Sequence, residues 1–123
     1  MATDTLDIQR ALQLYFDGVY EGDATKLASV FHPEAHLFGI TDGKLDDLPR
    51  AAWLDLIKSR PSARTRDLPR DDQIVQIDQS GPTTAFAKVR CQMPPRYFTD
   101  YLTLVKMTDG WRVISKTYHT ETR

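Results

Sequence analysis

Asp100 and His119 are the two residues whose types and spacing most directly permit acid–base chemistry. They stand in apolar, β-rich runs, FTDYLTLVKM and WRVISKTYH, on either side of Asp109-Gly110, a dipeptide that strongly signals a β-hairpin. With Asp109-Gly110 as the two-residue loop, Thr108 pairs with Trp111, Leu104 with Ser115, Leu102 with Thr117 and Asp100 with His119. Asp100, Leu102 and Leu104 then share one face with Trp111, Val113, Ser115, Thr117 and His119. Tyr101, Thr103, Val105, Arg112, Ile114, Lys116 and Tyr118 take the other. Burial and a protonated neighbour act on a carboxylate in opposite directions, and such conflict marks many reactive sites. The same pair also reads as a structural contact at a strand end. A one-residue bulge would swap the faces of the second strand and separate the two groups.

The other candidates are weaker. Trp53, Tyr97, Phe98 and Trp111 read as lining a pocket or as plain core. His32, before Pro33, reads as a helix-end residue bonding last-turn carbonyls or as a ligand contact. His32 and His36 are four apart, but Pro33 prevents one helix from carrying both. No zinc-type spacing joins them to His119 and Asp100, so no metal and no cofactor is expected. Cys91 stands in an alternating Ala/Val face and reads as a small buried hydrophobe. No phosphate-binding glycine loop and no Gly-x-Ser-x-Gly nucleophile motif occurs.

Composition narrows the function classes. The chain has 123 residues, a length that suits one domain spanning 1–123. Hydrophobic residues make up 41% and charged residues 27%, the balance of a globular domain. Net charge is −1, which gives no footprint for nucleic acid or an anionic membrane. The one basic cluster, Arg60, Arg64, Arg66 and Arg70, is diluted by Asp67, Asp71 and Asp72. A single cysteine excludes an intrachain disulfide. MATDTLDIQR shows no apolar leader, and no run approaches the roughly 20 apolar residues of a membrane helix. A cytoplasmic location is the expectation.

The elements that must position these residues follow from periodicity. Residues 5–21 carry an apolar stripe at helical spacing that includes Tyr15. Gly22 suits a left-handed helix end and Asp23 the cap of a short second helix, 24–31. Residues 34–41 read as a strand, Asp42-Gly43 as a turn and 44–48 as an irregular connection. Pro49 opens a third helix that runs to about Arg60. Residues 62–72 read as a loop. Period two then marks strands at 73–79 and 83–93, with Ala85, Ala87, Val89 and Cys91 on one face. Pro94-Pro95 interrupts the pattern before the hairpin. The plan is α+β: three N-terminal helices packed on a strongly curved, mostly antiparallel sheet.

This order, with the segments YFDGVYEGDATKLASVFHPEAHLFG and TDYLTLVKMTDGWRVISKTYH, resembles the nuclear transport factor 2-like (NTF2-like) superfamily. It is most similar to that superfamily's putative lumazine-binding branch. The resemblance implies a cystatin-like cone whose open end is a pocket, and a homodimer packed through the outer sheet face. It also implies that Tyr15 matches the oxyanion-donating tyrosine of the superfamily's steroid isomerases, and Asp100 their second donor. Two donors in a dry pocket stabilise an enolate better than water does. The isomerases' catalytic carboxylate falls at Gly39, which cannot take a proton. His36, Asp42 and His32 are the nearest alternatives. Tyr15 also reads as a core tyrosine with a satisfied hydroxyl. Three functions stay open: a binding protein for a small apolar or aromatic molecule, an acid–base enzyme in the same pocket, and a dimerisation module.

Overall fold

The computed structural model describes residues 2–123, with side chains from Asp4 onward. In chain order the elements are α1 (Ala2–Glu21), α2 (Ala24–Val30), β1 (Phe31–Thr41), β2 (Lys44–Pro49), α3 (Arg50–Ser59), β3 (Gln73–Ser80), β4 (Thr84–Met93), β5 (Arg96–Met107) and β6 (Gly110–Thr122). The strands form one unclosed sheet in the order β2-β1-β6-β5-β4-β3. β1 and β6 run parallel and all other neighbours antiparallel. The three helices cover one face, so the α+β cone expected from the residue pattern is the fold.

Two local expectations are corrected. Residues 44–48 are not irregular. Asp42 and Gly43, both at positive φ (51° and 76°), make the tight turn that folds β2 back on β1, pairing Leu37 with Leu48 and Thr41 with Lys44. The segment KLDDLP has no β-branched residue, so pairing rather than propensity makes it a strand. The second helix also stops earlier than expected. Phe31 is its C-cap, donating its N–H to the Leu27 carbonyl, and His32 therefore lies in β1.

The hairpin turns one residue earlier than expected: Thr108 and Asp109 form the two-residue loop, Gly110 opens β6, and Thr108 does not pair with Trp111. Met107 pairs with Gly110, Lys106 with Trp111 and Leu104 with Val113, but Thr103 pairs with Ser115. Ile114 is thus one extra residue in β6. Trp111 and Val113 stay on the helix-covered face and are buried. Beyond the bulge the alternation inverts. Leu102 pairs with Lys116, Asp100 with Tyr118 and Phe98 with Thr120. Lys116 and Tyr118 therefore turn inward, while Ser115, Thr117 and His119 turn outward.

The helices are seated by close approaches. Asp23 accepts from the Lys26 N–H at 3.1 Å and caps α2. A Cβ on Gly18 would stand 2.8 Å from Leu27, so this glycine sets how closely α1 meets α2. Residues 61–72 are tied to the end of α1. Arg64 N–H donates to the Tyr20 carbonyl at 3.0 Å, Tyr20 hydroxyl donates to the Leu68 carbonyl at 3.1 Å, and Arg70 pairs with Asp17 and Asp72. Partial burial of the Asp17 carboxyl is outweighed by hydrogen bonds from Arg70 and Gln13, which hold it below its usual range.

Gly22 has φ +67° and a Cβ there would lie 2.8 Å from Ser62 Cβ, whereas Gly43 has φ +76° with open space around it. A side chain at either position strains the backbone by about 1–3 kcal/mol, but only Gly22→Ala also drives into the 61–72 segment. Urea denaturation should show Gly22→Ala losing more stability than Gly43→Ala. Equal losses would mean that the Ser62 contact has no energetic weight.

Candidate functional site

The deep end of the cone holds a hydrogen-bonded chain of three polar side chains. Tyr15 projects from α1, Asp100 from the middle of β5, and Lys116 from β6 just past the bulge. The Tyr15 hydroxyl donates to Asp100 Oδ2 at 2.6 Å, and Lys116 Nζ donates to the Tyr15 oxygen at 2.7 Å. Lys116 Nζ stands 3.8 Å from Asp100 Oδ2, and its side chain is only 11% exposed. Tyr15 and Asp100 have no solvent exposure. Asp100 Oδ1 is buried and has no hydrogen-bond partner.

Aromatic rings hold the lysine in place. Its Nζ lies 5.1 Å from the centroids of both Tyr15 and Trp53 and 5.7 Å from that of Tyr118. Ring faces attract an ammonium most strongly where water is excluded. Trp53 comes from α3 and packs against Phe31 at 4.8 Å. Tyr118 lies over Gly39, where a Cβ would be 2.4 Å from its ring. The position that carries a carboxylate in steroid isomerases is therefore covered here by a phenol ring.

This chain forms the floor of a cavity of about 470 Å³, a size suited to a small ligand. Leu37, Leu48, Ile57, Cys91, Met93 and Phe98 supply apolar wall. Exposed Arg60 and Arg66, with half-buried Arg96, also line it.

The expected site residues divide between several places. Tyr15, Trp53, Phe98 and Asp100 line this cavity. His119 does not meet Asp100, because the bulge puts it opposite Thr99 on the outer face. His119 and Tyr97 instead line a separate depression of about 370 Å³ with Arg90, Gln92 and Glu121. Trp111 is buried in the core beside the hairpin turn, away from the cavity. His32 Nδ1 accepts the Glu34 N–H at 3.0 Å, and His36 meets Asp47 at 2.6 Å. Among the described residues no three metal-ligating side chains converge.

Lys116 and Tyr118 are the site residues that sequence reasoning assigned to the wrong face. Adjacent Val113 and Ile114, two apolar residues in succession, are the one trace of the inversion in the sequence.

The electrostatics follow from burial. Desolvation, and then the nearby Asp100 charge, push the Tyr15 phenol well above its ordinary value, so it remains a neutral donor. Desolvation also drives the Cys91 thiol up from 9.0 to about 12, with Asp100 adding to the shift and Lys116 opposing it. Cys91 is accordingly a poor nucleophile.

The fold and this pocket define an NTF2-like cone protein with a polar floor. The chain belongs to the family described as putative lumazine-binding, whose profile matches residues 3–119. An aldolase, FrzH from Cladobotryum sp., is 25% identical over 111 residues, covering 89% of this chain and 85% of that protein. An NTF2-like protein of unknown function from Shewanella baltica OS155 is 28% identical with a TM-score of 0.88, covering 99% of this chain and 97% of its own. A ketosteroid isomerase-like protein from Erwinia carotovora atroseptica SCRI1043 shares the fold at 12% identity, with a TM-score of 0.71 and coverage of 94% and 95%.

The raised Cys91 and Tyr15 values fix a sign for stability. Each group keeps its proton in the folded chain at a pH where the unfolded chain has released it. The thiol's contribution is intact below about pH 9 and is lost as pH rises toward 12, and the phenol's falls in the same direction from about pH 10 upward. Urea midpoints should fall across that range, and Cys91→Ala should flatten the fall because the thiol's share is gone while those of Tyr15 and Tyr118 remain. A slope unchanged in Cys91→Ala would contradict the thiol's part in it.

Proposed function

We propose that this protein binds a small, largely apolar or aromatic molecule bearing a carbonyl group, and moves protons on it at the floor of the cone. The observation that carries this reading is the Lys116–Tyr15–Asp100 chain, held dry at the end of an apolar cavity. Tyr15 donates its one proton to Asp100, and Lys116 donates to the Tyr15 oxygen. A carbonyl oxygen that draws the Tyr15 proton away from Asp100 and a second from Lys116 gains two hydrogen bonds as negative charge develops and frees the carboxylate. Asp100 is the carboxylate in reach of that point. It fits the role of proton acceptor that Gly39 cannot fill. The relative named as an aldolase supports carbonyl chemistry of this kind, and the family description supports a flat heteroaromatic ligand.

The test has a binding arm and a turnover arm. Lumazine and a panel of aromatic ketones are titrated against the protein, with thermal stability and Trp53 fluorescence as readouts. A ligand at 100 times its Kd adds about 2.7 kcal/mol of stability. The shift should vanish on blocking the cavity with Ile57→Trp. A shift that survives this blockage overturns the pocket as the binding site. For a ketone that binds, exchange of its α-protons into deuterated water should fall about 10²–10³-fold in Tyr15→Phe and further in Asp100→Asn. Binding without exchange would leave a carrier or sensor rather than an enzyme.

We also propose a homodimer through the outer sheet face. Phe86 and Tyr101 stack there at 6.1 Å with Lys88 over Tyr101, and Tyr101 is 43% exposed. Light scattering should give a dimer, and Tyr101→Glu should give a folded monomer. A wild-type monomer at micromolar concentration overturns the proposal.

A further inference from the structure

Lys116 is the sole lysine lining the cavity. Its environment is unlike that of the chain's paired surface lysines. Lys26 bonds Glu21 at 2.7 Å and Lys106 bonds Asp4 at 2.9 Å, and each is 37% or more exposed. Lys116 is 11% exposed, lies among three rings and has a phenol oxygen as its near partner, with the carboxylate 3.8 Å away. A structural lysine gains most from direct contact with its carboxylate. Here a tyrosine hydroxyl is interposed, and it can both accept a proton from Nζ and donate its own to Asp100.

From this geometry we infer that Lys116 is a covalent amine nucleophile, forming an iminium with an aldehyde or ketone in the pocket. The inference rests on the pocket reading above and names its chemistry.

The steps balance within the three groups and the ligand. The Lys116 ammonium passes a proton to the Tyr15 oxygen as the Tyr15 proton passes to Asp100 Oδ2. The transfer leaves a neutral amine on Lys116 and a carboxylic acid on Asp100. Nζ attacks the carbonyl carbon, and the carbon–oxygen π bond opens. A proton moves from nitrogen to oxygen through the Tyr15 hydroxyl, giving a neutral carbinolamine. Asp100 returns its proton to the carbinolamine hydroxyl, which leaves as water, and the nitrogen lone pair forms the carbon–nitrogen double bond. The result is an iminium facing a restored carboxylate. That carboxylate can take the α-proton to give an enamine: the C–H electron pair becomes the carbon–carbon double bond and the carbon–nitrogen π pair returns to nitrogen as its lone pair. No oxidant, reductant or further reactant is needed. The free Oδ1 of Asp100 leaves one carboxylate oxygen unengaged by the protein throughout.

The test uses 1-phenylbutane-1,3-dione, which forms a stable, absorbing enaminone with a reactive amine. The native protein should incorporate one equivalent, mapped by peptide mass spectrometry to Lys116, about tenfold faster or more than at any other lysine. Borohydride reduction after incubation with benzaldehyde should trap a benzyl group at the same residue. Lys116→Arg keeps a cation beside Asp100 and so preserves the fold, as circular dichroism checks, while removing the adduct. Tyr15→Phe should keep Lys116 as the labelled residue but slow its labelling, since the relay is cut. Labelling spread evenly over the lysines, or unchanged in Lys116→Arg, overturns the inference. Saturable diketone binding with no adduct also overturns it and leaves the binding reading standing. If neither binding nor adduct is seen, both fail.

Discussion

One extra residue in β6 decides what the cavity contains. Ile114 has no counterpart in β5, because Leu104 pairs with Val113 while Thr103 pairs with Ser115. On the turn side of the bulge Trp111 and Val113 face the helices and complete the core. On the other side the same strand presents Lys116, Tyr118 and Thr120 to the cavity. A regular strand would place Ser115, Thr117 and His119 there and turn the lysine out to solvent. The bulge thus lets one strand serve two purposes, a close-packed apolar core at one end and a polar, hydrogen-bonded cavity floor at the other.

The polar chain is tolerated in an apolar site because its members satisfy one another. A buried carboxylate or ammonium left alone carries a penalty of several kcal/mol. Asp100 accepts from Tyr15, Tyr15 accepts from Lys116, and the ammonium rests on aromatic faces. The arrangement is complete except at Asp100 Oδ1. The apolar surround keeps Tyr15 and Cys91 protonated, so neither stands as a phenolate or a thiolate in the cavity wall.

The pocket's limits are set by small residues and by a pinned segment. Glycine at 39 gives the Tyr118 ring room to lie against β1, with its centroid 5.7 Å from the Lys116 ammonium. Ala85 and Ala87 are buried on the inner face of β4, leaving depth for α1 to bring Tyr15 down onto β5. Residues 61–72, fastened to α1 through Tyr20, Arg64 and Arg70, contribute Ser62 and Arg66 to the cavity wall.

Much of this was legible in the residues themselves. Helical spacing marked α1 and placed Tyr15 on its buried stripe. Gly22-Asp23 marked the break before α2, and strict alternation marked the buried face of β4. These features depend on local backbone preference and on the period of apolar residues, which neighbours in the chain determine. Asp100 was visible for the same reason, since it shares an inward face with Leu102 and Leu104. The identity of its partners was not. Whether β6 offered His119 or Lys116 depended on a single inserted residue, and that insertion is settled by how Trp111 and Val113 fit beneath the helices while the far end of the strand keeps its pairing with β1 and β5. β2 was hidden likewise, because its strand character comes from hydrogen bonds to β1. The sequence by itself determined the helices, the strands other than β2 and the inward carboxylate, through local periodicity. Only the tertiary structure decided which cation meets that carboxylate, because strand register is a property of packing between distant segments.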